Sequence, residues 1–173
     1  MRETRINLRP IGLSLLQLQI ADDEESFLRE KTAPALIWER PPQMKQEGFI
    51  METRLGPPRS RSGPEPLVFE LVKNVTKPNP FTMGLTIGRT ENNDVVVADA
   101  SVSRFHAYFM SSKRDEWSLF DADSRFGTWI GGMKVAPNKP VPIPDGARLK
   151  FGEIELLFLL PSSLFDHVKR HVP

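Results

Sequence analysis

From residue 67 onward, apolar and polar residues alternate in short runs, each bounded by turn-forming residues. Residues 67–72, 84–87, 94–97, 105–110, 117–120, 128–130, 147–151 and 154–160 each read as a short apolar-rich strand. The turn signals between them recur at about ten-residue spacing, which predicts an antiparallel sandwich or barrel. Residues 154–160 form the most apolar run and predict a central strand. Pro161-Ser162-Ser163 then opens a short helix predicted over 164–171.

The first 40 residues read differently. Leu16-Gln17-Leu18-Gln19-Ile20 alternates and predicts a half-buried strand. Asp22, three residues ahead of Glu25, is a variant capping box that starts a helix. Glu25 and Arg29 can pair on its exposed side. Pro34 closes that helix, and residues 35–38 predict another strand. Residues 11–40 thus predict a small strand–helix–strand unit. Residues 54–66 hold four prolines and two glycines, which favour neither ladder nor helix. The expected organisation is an N-terminal extension over 1–53, a linker over 54–66, a β domain over 67–161 and a C-terminal helix within 162–173.

Composition narrows the function. Lys plus Arg total 23 against 22 Asp plus Glu, for a formal charge of +1. The balance is local too, with 10 basic and 9 acidic residues in 1–63 and 13 of each in 64–173. A general nucleic-acid or anionic-membrane binder needs a basic excess that this chain lacks. With no cysteine, disulfides and thiolate metal sites are excluded. Residues 11–20, the one candidate signal core, contain two glutamines and run into an acidic cluster. A cytoplasmic location is expected.

The chemistry concentrates in Gly88-Arg89, Ser103-Arg104-Phe105-His106, Ser124-Arg125-Phe126-Gly127-Thr128 and Asp145-Gly146. In this order and spacing, these motifs resemble the forkhead-associated (FHA) domain, in its bacterial single-domain form with an N-terminal extension. The resemblance implies an all-β, FHA-like antiparallel β-sandwich and a phosphothreonine-peptide-binding adaptor in Ser/Thr kinase signalling, without catalysis, cofactor or metal. It assigns phosphopeptide binding to Arg89, Ser103, Arg104, Arg125, Phe126 and Thr128, and support of the site to Gly88, His106 and Gly127. Phosphothreonine carries close to two negative charges and three acceptor oxygens. Guanidinium gives it geometrically defined, charge-assisted hydrogen bonds.

The chain departs from the family at two positions. Phe126 stands where the first of two peptide-holding asparagines is expected, and Gly131 where the second is. Phenylalanine neither donates nor accepts a hydrogen bond. Each lost bond costs about 0.5–1.5 kcal/mol, and more where a buried peptide group stays unpaired, so two weaken binding by roughly one to three decades. Arg125 stands where the family often has a phosphate-touching threonine, so the expected site relies on charge more than on backbone anchoring. The alternative is a degenerate scaffold that binds a protein partner independently of phosphorylation.

Three rival chemistries are weaker. Ser103, His106 and Asp121 are triad residue types, but the first two are three apart in a turn with no Gly-x-Ser-x-Gly elbow. Asp166, His167 and His171 lie on the final helix with the two histidines on one face, but are few for a metal site. Lys134, Lys139, Arg148 and Lys150 could touch nucleic-acid phosphates, against a matching acidic count. The expected partner is a phosphorylated protein or peptide, with no nucleic acid and no membrane. Self-association is a further expectation, through a phosphorylated Thr32 or Thr53 captured at high local concentration.

Overall fold

The computed structural model describes residues 10–19, 23–42, 64–75 and 79–170. Strands are numbered in chain order and fall into two sheets. The larger, in spatial order, comprises β1 (Ile11–Gly12), β3 (Leu67–Glu70), β2 (Ala35–Trp38), β12 (Ile154–Leu159), β11 (Arg148–Phe151), β8 (Thr128–Ile130) and β9 (Met133–Lys134). The smaller comprises β10 (Val141–Pro142), β7 (Glu116–Asp121), β6 (Ala107–Lys113), β4 (Leu85–Gly88) and β5 (Val95–Val96). Every pairing is antiparallel except β4 with β5.

The two sheets face each other across one apolar core. Leu36, Phe69, Leu149, Phe151, Leu156 and Phe158 come from the larger sheet; Ile87, Ala107, Phe109 and Leu119 come from the smaller. Phe109 and Phe151 meet edge-on with centroids 6.3 Å apart. The expected all-β sandwich is therefore present, and β12 occupies the middle of its sheet as its apolar run predicts.

The larger sheet is buried on its other face as well. Ala35, Ile37, Val68 and Leu159 point into a second core with Ile11, Leu13, Leu16, Phe27, Leu164, Phe165 and Val168. That layer is built by helices α1 (Leu13–Gln19), α2 (Glu24–Glu30) and α3 (Pro161–Arg170). Two-sided burial explains why all four residues of β2 are apolar and all are buried. It also shows that residues ahead of the proline-rich stretch supply a strand of the sandwich. β2 pairs with β3 on one side and β12 on the other.

The alternating segment from Leu16 is a correction. It is the helix α1, not a strand. Leu13 and Leu16 are buried three residues apart, a helical spacing that the Leu-Gln alternation hides. α1 packs on α3, where the Gln17 side-chain amide donates to the Val168 carbonyl. The cap of α2 lies one residue later than expected. Asp23 accepts from the Ser26 N–H at 2.8 Å, and that bond holds its carboxyl below the usual range. The Glu25–Arg29 pair forms as predicted. The two-residue strands β1, β9 and β10 carry too short a pattern to be read from sequence. Of the linker 54–66, only 64–66 are described, and Asp22, Thr53 and His171 lie outside the described residues.

One buried polar group bridges the sandwich at the end that carries the candidate site. His106 is fully buried, just ahead of β6. Its Nδ1 accepts the Ser103 N–H at 2.9 Å, so its hydrogen sits on Nε2, which donates to the Gly127 carbonyl at 2.9 Å. Burial pushes its pKa below the ordinary value, against the opposing pull of the Gly127 carbonyl and Asp121.

Two outcomes follow from this architecture. A chain truncated to residues 64–173 lacks the strand between β3 and β12 and is expected to lose cooperative folding. Chemical denaturation and amide NMR dispersion measure this; two-state unfolding near full-length stability would count against it. Leu36→Ala in the intact chain should cost about 2–5 kcal/mol. For His106, the unfolded chain takes up the proton first. Its contribution is complete above about pH 6.5 and lost as pH falls below that. Unfolding midpoints measured across pH 5–8 should fall on the acid side, and His106→Gln should flatten that slope.

Candidate functional site

The site is built from three segments at one end of the sandwich. The first leaves β4 at Gly88. A Cβ on Gly88 would collide with the Arg104 carbonyl oxygen, so glycine here lets the second segment pass flush against the strand end. The Val97 N–H donates to the Gly88 carbonyl, and the Arg89 N–H donates to the Ser103 carbonyl, each at 3.0 Å. The backbone of Arg89 is thus fixed while its side chain is exposed.

The second segment, residues 98–106, is held at two points. The Arg104 carbonyl accepts from the Asn93 side-chain amide at 2.7 Å and lies 2.9 Å from the Thr90 hydroxyl. The Ser103 N–H ends on His106. The third segment, residues 122–127, closes the circuit. The Arg125 N–H donates to the Ser103 hydroxyl oxygen at 3.0 Å, leaving the hydroxyl proton available to a ligand. Gly127 has φ +87°, a conformation that favours glycine, and its carbonyl accepts from both His106 and the Gly152 N–H.

Deeper support comes from two buried carboxylates. Asp94 accepts from the Asn74 N–H, the Thr86 N–H and the Lys73 ammonium at 2.7–3.0 Å. Asp121 accepts from the Ser124 N–H at 3.1 Å and from the Ser124 and Thr128 hydroxyls at 2.6 and 2.5 Å.

These segments enclose an open cleft of ≈ 630 Å³. Five of the six expected binding residues line it: Arg89, Ser103, Arg104, Arg125 and Phe126. Among the described residues, no carboxylate forms an ion pair with any of the three arginines. An ion pair of Arg89 with Asp94 is ruled out by Lys73, which takes that carboxylate. The Arg125 guanidinium lies 5.1 Å from the centre of the Phe126 ring. Phe126 is 46% exposed, and a Cβ at Gly131 would meet nothing within 4 Å. Both positions offer open surface where the family has carboxamides.

Thr128 needs correcting. It is buried in β8 and spends its hydroxyl proton on Asp121, so it supports the loop instead of lining the cleft. Gly88, His106 and Gly127 are buried, and each is hydrogen-bonded to a neighbouring loop. Sequence reasoning missed Asp123, the one carboxylate in the cleft wall, whose φ of +57° places it in the left-handed region. It also missed Phe105, 41% exposed in the same wall. The bracing role of Asn93 was hidden because the Asn-Asp pair reads only as a turn.

The rival chemistries find no assembly here. Both ring nitrogens of His106 are bound to backbone groups, and Asp121 to Ser124 and Thr128, so no serine–imidazole–carboxylate relay forms. Among the described residues, no three His, Cys, Asp or Glu side chains converge as metal ligands. Arg148 pairs with Glu39 and Glu155, and Lys150 with Glu153. No helix among the described residues is long and apolar enough to cross a membrane.

Comparison with known proteins agrees with this geometry. Residues 85–152 match the family model of the FHA domain. The chain is 30% identical over 71 residues to the E3 ubiquitin-protein ligase rnf8-B of Xenopus laevis, spanning 41% of this chain and 13% of that protein. It is 30% identical over 69 residues to the FHA domain-containing protein PS1 of Arabidopsis thaliana, spanning 39% and 5%. The chain therefore covers only a small part of these relatives' length. Among solved structures, the N-terminal FHA domain of S. cerevisiae Rad53p in complex with a phosphothreonine peptide is similar at 19% identity and a TM-score of 0.45, covering 54% of this chain and 83% of that one. The likeness to the FHA domain is thus confined to residues 85–152 of this chain.

Proposed function

We propose that the chain is a phosphothreonine-peptide-binding adaptor that recruits phosphorylated partners downstream of a Ser/Thr kinase. The observation that carries this reading is a cleft lined by three arginines, none paired with a carboxylate among the described residues, on loops fixed by backbone hydrogen bonds. Arg89, Arg104 and Arg125 meet the phosphate charge, and the Ser103 hydroxyl donates to one of its oxygens. Phe126 offers an apolar platform for the peptide in place of an amide. The binding module spans residues 67–161, with β2 completing its sheet. Thr32, exposed between α2 and β2, is one internal candidate for capture by a neighbouring copy once phosphorylated.

A second reading is favoured by the open surface at Phe126 and Gly131: a scaffold that holds a protein partner without phosphate. One titration separates the two. Phosphorylated and unphosphorylated forms of a peptide library are measured against the intact chain and Arg89→Ala. Charge-assisted bonds contribute about 1.5–3 kcal/mol, so Arg89→Ala should weaken phosphopeptide binding by roughly one to two decades. It should leave unphosphorylated peptides unaffected. Equal affinity for both forms sinks the phosphate reading. Phe126→Asn returns a carboxamide to the loop and should strengthen phosphopeptide binding by roughly two- to tenfold.

A further inference from the structure

The two sheets of the sandwich are covered unequally. The three helices bury their apolar residues against the outer face of the larger sheet. No helix among the described residues lies on the outer face of the smaller one. We propose that two copies of the chain associate through this bare face, about a two-fold axis running along the strands, without any need for phosphorylation.

The composition of the face calls for a partner. Phe109, Leu119 and Val141 pack inward, so alternation leaves Tyr108, Met110, Ser118, Phe120 and Pro142 on the outer side. None of these five is charged, in a chain where 26% of residues are. An antiparallel sheet that faces water ordinarily sends polar residues outward. The exposed charges of β6 and β7, Lys113 and Glu116, pair with each other beside the turn that joins the strands. Tyr108 stacks on Phe120 with centroids 4.6 Å apart, Phe81 packs on Tyr108 at 4.7 Å, and Phe105 lies 5.7 Å from Phe81. Four rings thus form a continuous row across the strands, and they brace one another before any partner arrives.

The face is also complementary to itself. β10 is the edge strand beside β7. Val141 and Ile143 pack into the core, so Pro140, Pro142 and Pro144 form an exposed ridge along that edge. The Ile143 N–H donates to the Trp117 carbonyl of β7, so the positions facing away from β7 are the three that carry no N–H. An edge without donors does not add another strand, which leaves the flat side of the sheet as the route to a partner. Proline rings pack on aromatic faces, the contact that proline-rich ligands use. Phe81 lies on the β4 side of Tyr108, across the sheet from the ridge. A two-fold axis along the strands, over β6 and β7, carries the ridge of each copy onto the rings of the other and joins one patch to itself. It also leaves both loop ends pointing the same way, so two candidate clefts open side by side. The association does not depend on the phosphopeptide reading above; its consequence, capture of a partner phosphorylated at two places, rests on it.

Sedimentation velocity of the intact, unphosphorylated chain should show a monomer–dimer equilibrium between micromolar and millimolar concentration. Ser118→Arg and Pro142→Glu each place an unpaired charge in the face and should weaken the dimer by about tenfold or more. Their unfolding midpoints should stay near that of wild type. Pro142→Glu alters an exposed edge residue, and it decides the matter alone if Ser118→Arg does not fold. A chain that stays monomeric to millimolar concentration overturns the proposal, and so does a dimer that survives Pro142→Glu. A peptide with two phosphothreonines on a flexible spacer should bind wild type about a hundredfold tighter than its singly phosphorylated form. Pro142→Glu should remove that gain and keep the affinity for the single form. Equal binding of the two forms by an intact dimer overturns the side-by-side arrangement of the clefts. If no phosphopeptide binds while the dimer forms and Pro142→Glu dissociates it, the phosphopeptide reading falls and the association stands.

Discussion

The candidate site depends on a neutral imidazole buried between two loops. His106 accepts from one loop through Nδ1 and donates to the other through Nε2. A neutral imidazole offers an acceptor and a donor on opposite sides of a rigid ring, and only its Nε2–H tautomer turns the acceptor to Ser103 and the donor to Gly127. Lysine and arginine cannot accept, and a carboxylate cannot donate. The cost of burying a polar group is offset because both of its polar atoms are satisfied. Ser103 and Gly127 are therefore tied together, and Arg125 follows through its N–H to the Ser103 hydroxyl. The placement of two side chains of the cleft, Ser103 and Arg125, traces back to one ring.

That rigidity matters because the cleft concentrates like charge. Two cations about 4 Å apart repel by roughly 1 kcal/mol in water and more near a protein surface. Flexible loops would relieve this by letting the arginines drift apart. Here the backbone of each is pinned: Arg89 to Ser103, Arg104 to Asn93, Arg125 to Ser103. Asp123 in the wall offsets part of the repulsion without an ion pair to any arginine. A dianion replaces that repulsion with attraction, while the loops have little ordering left to lose. The helical layer contributes from a distance. It covers the far face of the larger sheet, and β8 and β11 of that sheet carry Thr128 and lead to Gly152 at the base of the loops.

Much of this was legible in the sequence, and the failures have identifiable causes. The strand pattern, the central place of residues 154–159 and the loop motifs follow from period-two alternation and turn chemistry. Five of the six expected binding residues line one cleft because motif spacing on a sandwich places loops at a common end. Thr128 was misread because a sequence does not show which way a hydroxyl points, and Asp121 claims it. Residues 16–20 misled because leucines two apart fit a strand, while the decisive pair, Leu13 and Leu16, is three apart. The membership of β2 in the sandwich was hidden by the intervening proline-rich stretch. Its four consecutive apolar residues already demanded burial on two faces, a demand that a small separate unit does not meet.

The two departures at Phe126 and Gly131 bear on what kind of recognition this geometry favours. Carboxamides hold a peptide by its backbone and so fix its register; guanidinium groups hold the phosphate and leave the chain on either side free to turn. On the proposed phosphopeptide reading, a site with guanidinium groups in place of carboxamides would bind with a steeper dependence on ionic strength and less regard for backbone path. Register must then come from side chains. Phe126 and Phe105 lie on the same cleft wall system as the arginines, and both are exposed to a degree unusual for buried-type residues. Apolar contact is insensitive to salt and scales with the area covered.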